Sequence, residues 1–191
     1  MATVVGILGF QGCIEPHEIL LRKLGAEPLR VRSAHDLSLV SRLILPGGES
    51  TTMLRFLKGT ELSDEILSFA KTKPVWGICA GAILAARTVR SPEQASLNLI
   101  DIEAHRNFYG SQLDSFTTKL SITQLPRPIE VQFIRAPKLS PLPQTKNRPP
   151  LTVMAEHDGH PVLLAQGHIW VSSFHVELGE DTSLHELFLK Q

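Results

Sequence analysis

Short apolar runs alternate with segments of helical periodicity through the first half of the chain. The runs are rich in β-branched residues and end at Gly or Pro, which is typical of buried strands. The predicted strands are residues 4–8, 29–31, 42–45 and 74–78. The predicted helices are residues 14–24, 50–57, 63–71 and 80–86. Apolar strands joined by helices predict an α/β fold, with a mixed, mainly parallel central sheet and helices on both faces.

The second half of the chain has a different pattern, because its apolar runs are separated by Pro, Gly or Asn rather than by helices. Such runs predict antiparallel additions to the same sheet. These runs are residues 116–123, 129–134, 152–157, 161–166 and 169–174. Residues 184–190 predict a closing helix, and the proline-rich residues 138–150 predict a loop. Since no linker or repeat interrupts the pattern, we expect one domain over residues 1–191.

Composition excludes several classes of function. The 19 basic and 19 acidic side chains balance, and no Lys/Arg run occurs, which argues against binding to nucleic acid or anionic lipid. No apolar stretch approaches the ~20 residues that span a bilayer, and the N-terminus lacks the features of a signal peptide. Two cysteines in such a chain are more simply reduced thiols than a disulfide. We therefore expect a soluble, cytoplasmic protein with a small-molecule or protein partner.

The most informative motif is Gly77-Ile78-Cys79-Ala80-Gly81, at a predicted strand-to-helix junction. A nucleophile between two glycines at such a junction is typical of a sharp, strained turn that lifts the side chain above the sheet. The following helix points backbone N–H groups at the sulfur, which favours the thiolate. The alternative is a buried structural cysteine.

A thiolate nucleophile needs a base, and the base needs an orienting group. His175 and Glu177 stand two residues apart, so in an extended segment both side chains point to the same side. They predict a Cys–His–Glu triad with Cys79 as the nucleophile. The alternative is a surface His and Glu near the chain end.

Pro46-Gly47-Gly48-Glu49-Ser50 follows a predicted strand and precedes a helix. The segment lacks the Lys-Ser/Thr ending of a phosphate-binding loop, and Glu49 would repel phosphate. Its free N–H groups, together with that of Ala80, could instead bind a developing oxyanion. A plain Pro-Gly-Gly turn is the alternative.

Arg106 and Arg135 each lie in an apolar or turn setting. A guanidinium there could clamp the α-carboxylate of an amino acid, while Glu49 takes its ammonium; a structural ion pair is the alternative. His157, His160 and His168 cluster loosely, but Asp158-Gly159-His160 reads as a hairpin turn, so we expect no metal site.

The chain resembles the glutaminase subunits of pyridoxal 5′-phosphate synthases, which are triad-type (class I) glutamine amidotransferases with a flavodoxin-like fold. The resemblance runs nearly end to end, and its most specific segments are those that contain Gly-Gly-Glu-Ser-Thr and Arg-Asn-Phe-Tyr-Gly. The matching segments are Gly9-Phe10-Gln11-Gly12 with Glu15 and His17, Leu45-Pro46-Gly47-Gly48-Glu49-Ser50-Thr51-Thr52, Gly77-Ile78-Cys79-Ala80-Gly81, residues 106–116, Phe133-Ile134-Arg135-Ala136-Pro137 and Phe174-His175-Val176-Glu177-Leu178.

The resemblance implies that Cys79 attacks the side-chain amide of L-glutamine, with His175 and Glu177 as its relay. It implies ammonia transfer to a (β/α)8-barrel synthase subunit, and a Gly9–Gly12 loop, with Gln11, that lies near the docking surface and helps form the oxyanion site with Ala80. No cofactor is implied, because pyridoxal 5′-phosphate is the product of the complex. The implied glutamine-binding residues are Gly47, Gly48, Glu49, Arg106, Ile134 and Arg135.

Two residues depart from the family pattern, Ile78 in place of Thr and Val176 in place of Pro. Neither removes a reacting group, but we expect Val176 to loosen the backbone between base and orienting group. Glu15, His17 and Glu18 on the first helix predict a polar surface for the partner. Two other functions remain open: a glutaminase subunit of another amidotransferase, and a non-catalytic module that senses glutamine or docks a partner.

Overall fold

The computed structural model describes residues 2–106, 108 and 115–191. Strands and helices alternate up to β4, and strands then dominate as far as α6. In chain order the described strands are β1 (Val4–Leu8), β2 (Glu27–Val31), β3 (Arg42–Leu45), β4 (Val75–Ile78), β5 (Ala86–Arg90), β6 (Ile100–His105), β7 (Phe116–Leu120), β8 (Ile129–Phe133), β9 (Lys138–Pro141), β10 (Leu151–His157), β11 (His160–Gln166) and β12 (Ile169–Ser172). The described helices are α1 (Ile14–Lys23), α2 (Ala34–Ser38), α3 (Ser50–Leu57), α4 (Glu61–Phe69), α5 (Ala80–Ala85) and α6 (Ser183–Leu189).

The central sheet has seven strands in the order β10-β11-β12-β4-β3-β1-β2. The run from β12 to β2 is parallel, and β11 and β10 add to its edge in antiparallel pairing. The hairpin between β10 and β11 turns at Asp158 and Gly159, as the sequence predicts. The predicted fold class, a mixed and mainly parallel sheet, is confirmed.

Alternating side chains of the strands feed two hydrophobic cores, one on each face of the sheet. Leu43 and Leu45 of β3 belong to the core that packs under α3, α4 and α5, whereas Ile44 belongs to the core under α1 and α6. Helices therefore cover both faces, as strands that are apolar on both sides require. Among the residues described, no helix combines the length and the apolar character needed to cross a bilayer.

Two predictions for the second half are wrong, and some elements were not predicted. Strands β7 and β8 form a separate two-stranded sheet, rather than extending the central sheet. Part of the predicted loop is strand β9, which joins β5 and β6 in a three-stranded sheet. Strands β5 and β6 were not predicted, because polar residues interrupt their short apolar runs and the second partner of β6, strand β9, lies further along the chain. Helix α2 was also missed, although Ser33 and Asp36 form its capping box.

The parallel strands bring four loops to one edge of the central sheet. The loops after β1, β3, β4 and β12 all leave from the carboxyl ends of their strands, where ligands of open α/β sheets bind. These loops carry the Gly9–Gly12 segment, Gly47 to Glu49, Cys79, and His175 with Glu177. The topology of the central sheet thus places these predicted site residues together, whereas Arg106, Ile134 and Arg135 follow β6 and β8 of the two smaller sheets.

Candidate active site

Cys79 lies in the sharp turn between β4 and α5. Its backbone has φ 49° and ψ −102°, a region that residues other than glycine rarely adopt. Neither flanking glycine has room for a side chain. A Cβ on Gly81 would lie 1.9 Å from the carbonyl oxygen of Leu45, and a Cβ on Gly77 would lie 2.6 Å from the carbonyl oxygen of Gly81. The turn therefore has the strained geometry expected of a nucleophile elbow, and such strain is often held at functional sites.

The His175 imidazole forms a short hydrogen bond with Glu177, 2.6 Å from Nδ1 to Oε1. Both residues are buried, at 4% and 3% exposure. The backbone of His175 exchanges two hydrogen bonds with Gln132 of β8, at 2.7 and 2.9 Å. Val176, which stands where the family pattern has Pro, is buried between the two functional residues. That it loosens the backbone between them stays a prediction.

Electrostatics favour an ionised pair at these two residues. Burial alone would raise the pKa of Glu177, but His17 and His175 outweigh it and lower that pKa to about 2. Burial alone would lower the pKa of His175, but side-chain hydrogen bonds with Cys13, Cys79 and Glu177 raise it well above its usual value. A cationic imidazole is the partner that a Cys79 thiolate needs.

Glu49, Arg106 and Arg135 form a charged group at the mouth of the pocket. Arg135 Nη2 lies 3.7 Å from Glu49 Oε1, and Arg106 Nη2 lies 4.0 Å from Glu49 Oε2. Arg106 also donates to Gln94 Oε1 at 3.2 Å. Two cations beside one anion form a set that could bind both charged groups of an α-amino acid. The pocket is lined by Gly48, Glu49, Ser50, Cys79, Ala80, Ile83, Arg106, Ile134 and Arg135.

Candidate oxyanion donors lie beside the sulfur. Ala80 is the first residue of α5, so its N–H has no acceptor within the helix. The thiol of Cys79 points toward the carbonyl oxygen of Ile134, 3.9 Å away. Gln11 Nε2 donates to the carbonyl oxygen of Glu49 at 2.9 Å, and its side chain covers Gly48 so closely that a Cβ there would lie 2.8 Å from Gln11 Oε1. Gln11 thus ties the Gly9–Gly12 loop to the glycine pair.

All the predicted site residues lie within the described part of the chain. The structure brings Cys79, Glu49, Arg106, Ile134 and Arg135 to one pocket and places His175 and Glu177 behind it. Of the predicted segment 106–116, residues 107 and 109–114 lie outside the described residues.

Cys13 is a neighbour of the site that the sequence did not indicate. Its sulfur, a ring nitrogen of His175 and a carboxylate oxygen of Glu177 lie within 4.8 Å of one another. These are atoms that a metal ion can use, but the 2.6 Å hydrogen bond already joins two of them. The spacing of Cys13 and His17 could have indicated this position, because residues four apart at the start of a helix lie on one face of it.

The prediction that His17 and Glu18 face a partner is wrong. His17 is 0% exposed, and Glu18 is buried in an ion pair with Arg30. Helix α1 packs this face onto the sheet, where His17 meets Glu177, while Glu15 stays exposed.

A cysteine at a strained strand-to-helix turn, beside a His–Glu pair on an α/β sheet, is the arrangement typical of triad-type glutamine amidotransferases. The chain belongs to the SNO glutamine amidotransferase family, whose model matches residues 7–191. It is similar to the pyridoxal 5′-phosphate synthase subunit PdxT of Solibacter usitatus, with 42% identity over 98% of each chain. It is also similar to that of Kosmotoga olearia, with 44% identity over 98% of this chain and 96% of the relative. A solved structure of a glutamine amidotransferase has a TM-score of 0.89 and 36% identity, covering 97% of each chain. The family expected from the sequence is confirmed.

Proposed function

We propose that this protein hydrolyses L-glutamine to L-glutamate and ammonia, as the glutaminase subunit of a pyridoxal 5′-phosphate synthase. The observation that carries the proposal is the placement of Cys79 at a strained turn, in a pocket bordered by Glu49 and two arginines and backed by the His175–Glu177 hydrogen bond. Relatives that share about 40% of its residues over nearly their whole length are named as such subunits.

In the proposed reaction, the Cys79 thiolate attacks the side-chain carbonyl carbon of glutamine and forms a C–S bond. His175 then gives its proton to the amide nitrogen, the C–N bond breaks, and ammonia leaves a thioester. His175, now neutral, takes a proton from water as that water attacks the thioester. The C–S bond breaks, glutamate leaves and the thiolate is restored.

The roles of the remaining residues follow from their positions. The negative oxygen of each tetrahedral intermediate would be stabilised by the N–H groups of Gly48 and Ala80. Arg106 and Arg135 would hold the α-carboxylate of glutamine, and Glu49 its ammonium. Glu177 keeps the imidazole of His175 oriented and stabilises its charged form.

Ammonia would be passed to a separate (β/α)8-barrel synthase subunit.

The pocket beside Cys79 encloses only about 40 Å³, room for a few water molecules and less than glutamine needs. Gln11 bridges the Gly9–Gly12 loop to the backbone of Glu49, one of the residues that line this pocket. These contacts support the proposal that docking of the synthase moves this loop and opens the site.

Glutaminase assays with and without the synthase subunit test the proposed function. We expect low turnover by the chain alone, a large increase with saturating synthase subunit, and no turnover by the Cys79→Ala variant in either case. Cys13→Ala removes the other thiol and its contact with His175, and should lower stimulated turnover without abolishing it. Gln124→Ala, at an exposed position, is the control and should retain stimulated turnover. Turnover without any response to the synthase would favour another amidotransferase. Glutamine binding without turnover would favour a sensing module.

A further inference from the structure

A chain of buried polar groups continues beyond the expected triad into the core. His17 Nε2 lies 3.8 Å from Glu177 Oε1, the same carboxylate oxygen that His175 Nδ1 contacts at 2.6 Å. His17 Nδ1 in turn lies 2.8 Å from His185 Nε2. Both histidines are 0% exposed, so water does not reach these contacts. Buried polar groups are normally paired, which makes this arrangement one that needs an explanation.

We propose that His17 is a positioning residue for Glu177. Held in one tautomer by His185, it presents its Nε2–H to the buried carboxylate and keeps that carboxylate turned toward His175. His17 touches neither substrate nor thiol, and acts only through Glu177. The proposal deepens the proposed glutaminase function and rests on it for its kinetic readout.

Burial makes both added histidines neutral. It lowers the pKa of His17, against the attraction of Glu177, and it lowers the pKa of His185 to about 3. Each ring therefore carries one proton at neutral pH, on one of its two nitrogens. A hydrogen bond between two neutral imidazoles requires a donor nitrogen on one ring and an acceptor on the other.

Only one of the two possible tautomer pairs suits the surroundings. If His185 donates from Nε2 to His17 Nδ1, the proton of His17 is on Nε2 and faces the carboxylate. If His17 donates instead, its Nε2 lone pair faces the anion, and the proton of His185 is on Nδ1, a buried atom with no hydrogen-bond partner among the described residues. Each pair leaves one buried N–H without a hydrogen bond among the described residues, at His17 Nε2 in the first pair and at His185 Nδ1 in the second. The first pair is favoured because its N–H, rather than a lone pair, faces the carboxylate 3.8 Å away.

The carboxylate has few other groups to orient it. Oε1 accepts from His175, while Oε2 has no hydrogen-bond partner within the described part of the chain. Four titratable groups of the described residues surround this carboxylate. His175 is on the same segment, Cys13 precedes the first residue of α1, His17 is within α1, and His185 of α6 contacts His17. Among these, His17 is the one that faces the carboxylate from the core and is anchored by a partner of its own.

The first test uses ¹⁵N nuclear magnetic resonance on histidine-labelled full-length protein, which reports the protonated nitrogen of each ring directly. We expect the His17 ring to be neutral with its proton on Nε2 at pH 7. A proton on Nδ1, or a doubly protonated ring, would overturn the proposal. This measurement needs no glutamine turnover, so it separates the tautomer from the proposed function.

The second test follows the alkylation rate of Cys79 by iodoacetamide against pH, in three single variants. His17→Leu should move the midpoint to higher pH by about one unit, because a less well-held Glu177 stabilises the His175 cation and the thiolate less. His17→Gln keeps an N–H donor and should restore most of the shift. His168→Leu is the matched control and should change nothing, since the His168 imidazole hydrogen-bonds the carbonyl oxygen of Ala70 and does not belong to the site described above.

The outcomes of these variants are decisive in each direction. An unchanged midpoint in His17→Leu, or a shift that His17→Gln fails to reverse, would assign His17 to packing alone and overturn the proposal. If His17→Leu does not fold, the glutamine variant and the tautomer measurement still decide it. In the synthase complex, we expect His17→Leu to lower kcat by about tenfold or more, with KM changed less than twofold. If the wild-type complex has no turnover, the proposed function fails while the alkylation test stands.

Discussion

The imidazole of His175 occupies the space in which a side chain on Gly47 would have to lie. A Cβ built on Gly47 would fall 2.2 Å from His175 Cε1 and 3.0 Å from Nδ1. The first glycine of the Gly-Gly-Glu segment is thus required by the base of the expected triad. The loop after β3 and the segment after β12 are fitted to each other at this point.

The first prediction follows from this contact. Gly47→Ala should lower kcat by about a hundredfold or more, because the added methyl group displaces His175 from Cys79 and Glu177. Steady-state glutaminase kinetics of the complex measure the effect. Gly179→Ala is the control, since a Cβ there meets only an ordinary 3.6 Å contact. Equal activity in both variants would contradict the fitted arrangement.

The second prediction concerns the charged group at the pocket mouth. Arg106→Ala and Arg135→Ala should each raise the barrier by ~1.5–3 kcal/mol, about ten- to a hundredfold in kcat/KM for glutamine. Alkylation of Cys79 by neutral iodoacetamide should not change, since the proposed role of the arginines is to bind substrate rather than to activate the thiol. Arg127→Ala, which removes an exposed arginine paired with Asp181, serves as the control. If Arg106→Ala alters neither rate, its role is structural.

The third prediction concerns the Gly9–Gly12 loop. Gln11→Ala removes the hydrogen bond to Glu49 and should reduce the stimulation of glutaminase activity by the synthase subunit. Gln124→Ala changes an exposed glutamine elsewhere and should leave stimulation intact. Turnover is measured against synthase concentration for each variant. Undiminished stimulation in Gln11→Ala would remove the loop from the switch.

The fourth prediction concerns stability and pH at Asp101, which is 0% exposed and anchors the three-stranded sheet. Its carboxylate accepts from Thr145, Gln166 and Arg148, and these contacts outweigh burial and hold its pKa well below the usual range. A lowered folded-state pKa gives stability that is present above pH ~4, the unfolded value, and is lost as pH falls toward the folded value.

Replacing this carboxylate should therefore cost most at neutral pH. Asp101→Asn should lower the free energy of unfolding by about 3–5 kcal/mol at pH 7, and the difference from wild type should shrink below pH 4. Urea unfolding at several pH values gives the comparison. Asp158→Asn, at an exposed turn, is the control. A difference that stays constant with pH would show that the charge of Asp101 does not supply the stability.

The parts of the site that the sequence predicted are those encoded over a few neighbouring residues. Gly77 and Gly81 indicate a strained turn around Cys79, and the spacing of His175 and Glu177 places their side chains together. The alternation of apolar strands with helices along the first half of the chain was enough to predict the parallel sheet. These features depend on local backbone geometry, which the sequence pattern carries directly.

What the sequence did not predict depends on contacts between distant residues. Strand β6 finds its partner β9 only through tertiary pairing, and Asp101 fixes that region by binding Thr145 and Arg148. His17 was predicted to be exposed, because a polar residue on a surface helix usually is, and its buried partner His185 lies near the other end of the chain. That residues 1–191 form one domain, and that the protein is cytoplasmic, stay predictions.

The central claim is that Cys79 forms a covalent bond with the side-chain carbonyl carbon of glutamine. Mass spectrometry of the protein with its synthase partner, after exposure to an electrophilic glutamine analogue, tests it most directly. The account predicts one adduct, mapped by peptide digestion to Cys79, that excess glutamine prevents and that the synthase accelerates. An unmodified Cys79, or an adduct on Cys13 instead, would contradict it.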